Sequence, residues 1–201
     1  MNTPKIRCTN NVSVHPPLGA WASRPLKWRP RWPRCREKAG GGERLPNNLV
    51  GTTGEYYVCA ELCKRGYLAL LTPKNNPLFD VVATSIDGSR SVSIQVKTRS
   101  IQNAQGWKLG TDISKGFAPS GLFVVLVNLK ENGLPEFYIY EYRVLSERVS
   151  QVYEEFINKP KRDGTPRKEV GFRWFDEVSF NENDHSRKNN WHPIIQVLER
   201  A

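Results

Sequence analysis

The chain has 201 residues, 38% hydrophobic and 25% charged, with a formal net charge of +10. That suffices for one domain with its own core. No apolar run approaches the roughly 18 residues of a membrane span and no apolar leader follows Met1, so a soluble, cytoplasmic protein without membrane contact is expected. The charge is uneven: residues 1–46 hold ten Lys and Arg against Glu37 and Glu43, net +8, whereas 47–201 hold twenty basic and eighteen acidic residues, net +2. Basicity therefore belongs to the first segment and says little about the remainder. The cysteines, Cys8, Cys35, Cys59 and Cys63, form no CxxC pair and no zinc spacing.

Residues 1–46 include WASRPLKWRPRWPRC and a Gly-Gly-Gly run, with prolines too frequent for a helix and no regular period, so a disordered basic extension is expected. Its interleaved Trp and Arg, including Arg29, Arg31 and Trp32, have the chemistry to hold nucleic acid through phosphates and base stacking. A solvated extension of no specific role is the other reading. Residues 47–201 form the expected domain. A helix is expected over 54–65, capped by Gly51-Thr52-Thr53 and ended by Gly66 as its C′ residue. Glu55, Val58, Cys59 and Leu62 share one face of it by i, i+3, i+4 and i+7 spacing, which puts an acid at the end of the apolar stripe. Favourable placement in the first turn, on the helix dipole, would explain that acid without any function.

A strand over 67–72 is followed by the Lys74-Asn75-Asn76-Pro77 turn and then by two apolar runs, 78–85 and 91–98, around Asp87-Gly88. That dipeptide predicts a two-residue type I′ hairpin, which puts Ile86 opposite Ser89 and Asp80 opposite Gln95. Opposed Cβ atoms lie roughly 5 Å apart and side chains alternate along a strand, so Lys97 joins Asp80 and Gln95 on one face. Val92, Ile94 and Val96 take the other face, toward the core. After Arg99 comes a polar stretch. The run 121–129 is apolar on both faces and reads as a buried strand, 136–142 as the next strand, and 144–158 as a helix with Leu145, Val149, Val152 and Phe156 at helical spacing. The rest is polar and turn-rich until a short helix over 193–199. His185 and Lys188 there suit a loop near phosphates, with a plain solvated loop as the alternative. No internal repeat is present.

Asp80, Gln95 and Glu55 offer oxygen ligands of the kind Mg²⁺ prefers, and Lys97 stands where it could orient or deprotonate a water, a combination suited to phosphodiester hydrolysis. No GxSxG motif, His dyad or phosphate-cradling Gly loop supports another chemistry. At these residues the chain resembles the PD-(D/E)xK nuclease superfamily in order and spacing. Gly54-Glu55 matches the helical acid, Phe79-Asp80-Val81-Val82 the motif aspartate, and Gln95-Val96-Lys97 the (D/E)xK step, with Gln in place of the commoner acid. The likeness covers about residues 49–158 and is closest to a small bacterial QxK subgroup. It implies an α/β (α+β) fold with a restriction-endonuclease-like core: a helix, then a mixed sheet of about five strands with flanking helices. It implies a metal-dependent endonuclease acting on DNA. Asp80, Gln95, Val96 and Glu55 would hold Mg²⁺ (or Mn²⁺), Lys97 would serve the water, and Arg99 would join the nucleic-acid contacts. A homodimer is compatible with this reading, as is a domain that binds nucleic acid without cleaving it.

Overall fold

The computed structural model describes residues 46–74, 76–114 and 120–199. The basic extension, with Arg29, Arg31 and Trp32, lies outside them. The first helix, α1 (Asn47–Lys64), begins two turns before the expected cap. Pro46 starts it, its carbonyl accepting the N–H of Leu49 and Val50 at 2.9 and 3.1 Å. Thr53 is an interior residue whose hydroxyl bonds back to the Leu49 carbonyl at 2.7 Å. Glu55 therefore sits in the third turn, and the dipole explanation of its placement fails. The helix ends as its sequence implies. Gly66 adopts φ 91, its N–H reaches Cys63 O and that of Tyr67 reaches Leu62 O, so a Schellman motif satisfies the last carbonyls.

Five strands form the main sheet, in spatial order β1 (Leu68–Leu71), β2 (Val81–Thr84), β3 (Ser91–Arg99), β5 (Leu122–Asn128) and β6 (Glu136–Glu141). β3 and β5 run parallel and the other pairs antiparallel, which makes the sheet mixed. The β2–β3 register has the expected sum, with Val81 opposite Ile94 and Thr84 opposite Ser91. The turn is different. Only Gly88 takes positive φ (70), the Gly88 N–H bonds Ser85 O at 2.9 Å, and Ser85 N–H bonds Arg90 O. Asp87 is not in the left-handed region, and its carboxylate accepts from Ser85 Oγ and from the N–H and Oγ of Ser89. A four-residue loop replaces the two-residue one and preserves the register, since it adds one residue on each side.

The sheet separates two apolar layers. Val81, Ala83, Val92, Ile94, Val96, Phe123, Val125 and Val127 pack with Val58 and Leu62 of α1 and with Ile194 and Leu198 of α4 (His192–Glu199). On the other face Val124, Leu126, Tyr138 and Tyr140 pack with Leu145 and Val149 of α2 (Tyr142–Asn158). Every residue of β5 is buried, as a strand covered on both faces must be. The second layer is closed by an antiparallel ribbon absent from the sequence reading, β4 (Trp107–Gly110) with β7 (Phe172–Phe175). Its inward residues Trp107, Leu109 and Phe175 complete the core, and Trp107 Nε1 donates to Val127 O at 2.9 Å. The polar tail is thus more structured than expected, and it includes a short helix, α3 (Glu182–Ser186), capped by Asn181.

Candidate active site

Regular pairing of β2 with β3 stops at Val81 and Ile94. One residue earlier, Asp80 occupies a bend that is anchored on three sides. Its N–H donates to Ile94 O at 2.9 Å, its carbonyl accepts from Thr72 N at 2.9 Å and Thr72 Oγ1 at 3.2 Å, and its Oδ2 accepts from Val96 N at 2.7 Å. The carboxylate thus replaces a main-chain partner at the point where the strands part. Oδ1 makes no hydrogen bond among the described residues. In an extended strand the N–H and C=O of one residue point to the same edge, so the Val96 carbonyl is directed along the edge on which Asp80 sits.

Glu55 lies beside this bend. With Asp80, Thr52, Thr72 and Lys74 it lines a recess of about 300 Å³. Partial burial raises the Glu55 carboxyl above its ordinary range, and the negative charge of Asp80 raises it further, while Lys74 and Lys97 pull the other way. Two carboxylates and two ammonium groups therefore share one electrostatic neighbourhood. Glu55 is brought there by packing rather than by helix propensity. Gly54 abuts β3 so closely that a Cβ on it would lie 1.9 Å from Thr98 Oγ1, which fixes α1 against the strand that carries Gln95 and Lys97.

Gln95 and Lys97 open on the opposite side of the sheet from Val96 and line a second recess of about 520 Å³ with Leu109, Gly110, Asp112 and Tyr142. The expected single face is therefore two recesses. Glu55 and Asp80 line one, Gln95 and Lys97 the other, and the 76–80 segment contributes to both walls. The electrostatic link from Glu55 to Asp80 and Lys97 crosses between them. Among the described residues no three His, Cys, Asp or Glu side chains cluster as a metal site. The donors that line the two recesses, or face the edge between them, are two carboxylates, an amide and a carbonyl: oxygen only, a set whose chemistry fits Mg²⁺ or Mn²⁺ and would not select a softer metal.

The other expected residues go elsewhere. Arg99 is engaged within the fold: its Nε donates to Asn128 Oδ1 at 2.7 Å, its Nη2 pairs with Glu177 at 2.6 Å, and its guanidinium lies 4.6 Å from the Trp107 ring centre. Lys188 is paired with Glu136 at 2.5 Å. His185 is exposed on α3, edge-on to Phe180. Lys74 is the residue that the sequence reading assigned to a turn alone. A cation six residues before Asp80 was its only local signal.

No protein-family model matches the chain, and no curated protein matches it. Among solved structures, a bacterial homing endonuclease, I-Ssp6803I, aligns with a TM-score of 0.41 at 17% identity over 75% of this chain and 93% of that one. The Holliday junction resolvase Hjc of Archaeoglobus fulgidus aligns with a TM-score of 0.35 at 17% identity, over 65% of this chain and 86% of that one. Among the described residues no helix is long and apolar enough to cross a membrane.

Proposed function

We propose that this domain is a divalent-metal-dependent endonuclease that hydrolyses phosphodiester bonds in DNA, with Asp80, Glu55, Gln95 and Val96 as the metal-holding set and Lys97 as the group that serves the water. The observation that carries this is the crowding of Glu55 against Asp80 at the parted end of β2 and β3. A partly buried carboxyl beside a second carboxylate is unfavourable alone and becomes favourable when a cation neutralises the pair. A bound Mg²⁺ supplies polarisation of a phosphate oxygen and a lowered pKa for its water. The chain's own residues supply position. The Asp80 backbone is anchored by its bonds to Ile94 and Thr72 and its carboxylate by Oδ2 accepting from Val96 N, which leaves Oδ1 for a cation. Gln95 Oε1 is a neutral donor and sits beside Lys97, whose Nζ orients the attacking water, takes its proton, or stabilises charge developing on the phosphate.

A domain that binds nucleic acid without cleaving it is the second reading, favoured by one observation: an amide stands at Gln95 where a third carboxylate would strengthen the site. Plasmid nicking separates the two. Wild type in Mg²⁺ or Mn²⁺ is expected to convert supercoiled DNA to nicked or linear forms, with Asp80→Ala and Lys97→Ala each reduced by about 10²-fold or more. Equal cleavage by all three, or none by wild type with either metal, refutes the catalytic reading.

A further inference from the structure

We infer that the outward face of the β4–β7 ribbon is a stacking site for an unpaired nucleobase, so that the nucleic acid this domain engages contains single-stranded nucleotides. The inference rests on the nuclease reading for its biological sense, but its observations are separate. In the ribbon, Trp107 and Leu109 point inward, leaving Lys108 and Gly110 outward, opposite Trp174 and Phe172. Those two aromatics, with Tyr153, Phe156, Val170 and Asp176, line a groove of about 490 Å³, within the roughly 300–1,000 Å³ range of sites for small planar ligands. Phe156 continues the apolar stripe of α2 past the core and remains 44% exposed. Four aromatic rings have thus been placed outside the core.

The occupant is argued from charge and from the state of each ring. Cations already lie over three of the four rings: Arg173 on Tyr153 at 3.4 Å, Arg167 on Phe156 at 4.3 Å and Lys108 on Phe172 at 4.4 Å. Among the described residues no cation lies over Trp174, which leaves it as the ring open to a base. Of the three cations, Lys108 and Arg167 make no ion pair among the described residues; Lys159, Lys161, Arg162 and Lys168 of the loop from α2 to β7 do not line the groove. Of the nearby acids only Glu169 is paired with a cation, Arg173, among the described residues; Asp163 and Asp176 accept from the N–H groups of Thr165 and Ser179 and keep their charge, and Asp176 lines one end of the groove. Glu154 and Glu155 are exposed on α2 but do not line the groove. Aromatic rings with the unpaired cations Lys108 and Arg167 beside them fit a base with its phosphates. An uncharged apolar peptide would leave those cations unanswered. The groove also adjoins the candidate active site: Gly110 lines the recess of Gln95 and Lys97, and its cross-strand partner Phe172 lines the groove.

The test is fluorescence anisotropy with the full chain in EDTA, using a labelled 12-nucleotide single strand and the same sequence as a blunt duplex. Wild type is expected to prefer the single strand. Trp174→Ala is expected to weaken single-strand binding by about tenfold with little change for the duplex, and Trp174→Phe to restore most of it. If Trp174→Ala unfolds the protein, Trp174→Leu, which keeps apolar volume without a ring face, takes its place and should show the same selective loss. Unchanged single-strand affinity in a folded Trp174→Ala or Trp174→Leu variant overturns the inference, as does equal loss for both DNAs or preference for the duplex by wild type. Plasmid nicking by Asp80→Ala reports on the nuclease reading independently, so either conclusion can fail alone.

Discussion

Gly54→Ala is expected to destabilise the protein although alanine is the better helix former. In the middle of α1 the substitution gains about 1 kcal/mol of propensity. Against that, the new Cβ would lie 1.9 Å from Thr98 Oγ1 and 3.0 Å from both Thr98 Cβ and Cγ2. Rotating the β-branched side chain exchanges one close atom for another, so the helix or the strand must move, and overpacking of this kind costs about 1–3 kcal/mol. Taking the upper part of that range for a contact this short, the net loss is about 2 kcal/mol, or about 4–8 °C in melting temperature for a domain of this size. Thermal or urea unfolding measures it. Adding Thr98→Ala removes Oγ1 and Cγ2 but leaves Cβ, so the double variant should recover most of the loss, with a coupling energy of about 0.5–3 kcal/mol. A Gly54→Ala protein as stable as wild type, or a double variant with no recovery, refutes the close-approach account of how α1 is held against β3.

Glu55→Gln is expected to stabilise the metal-free protein above the ordinary carboxylate range, by only a few tenths of a kcal/mol because the group is largely solvent-screened. The sign follows from the direction of the shift. A carboxyl raised in the folded state costs nothing below its unfolded pKa, and that cost appears as pH rises through the folded value, so the two proteins should converge in acid and separate toward neutrality. Melting curves across pH 3–8 without metal test this, and a variant less stable than wild type at neutral pH contradicts it. Arg99→Ala should cost about 2–4 kcal/mol, because Glu177 and Asn128 lose a charged partner that is itself only 12% exposed. If instead its melting is unchanged while DNA affinity falls, Arg99 is a nucleic-acid contact after all.

Where local pattern decides, the sequence was readable. Alternation in Val92, Ile94 and Val96 set the face of β3, the unbroken apolar run 122–127 marked a strand covered on both sides, and Gly66 ended α1. The β2–β3 register was legible because a hairpin register follows from its turn, and it survived a loop two residues longer than expected because the parity did not change. What could not be read depends on distant partners. Gly51 and Gly54 resembled a helix start, but Gly54 is interior and glycine there answers to Thr98, more than forty residues away. The β4–β7 strands are four residues each, too short for a period, and they exist because Trp107 and Phe175 meet under the sheet. The separation of Glu55 and Asp80 from Gln95 and Lys97 into two recesses arises where pairing ends, one residue beyond what turn geometry governs.

The central proposal is that one divalent cation draws on donors from both recesses, Glu55 and Asp80 from one and Gln95 from the other, and Mn²⁺ titration followed by electron paramagnetic resonance tests it without recourse to cleavage. Wild type should bind one ion and Asp80→Ala should lose it. Gln95→Glu, which restores a third carboxylate, should bind about tenfold more tightly. Mn²⁺ binding that is indifferent to both substitutions would contradict the account.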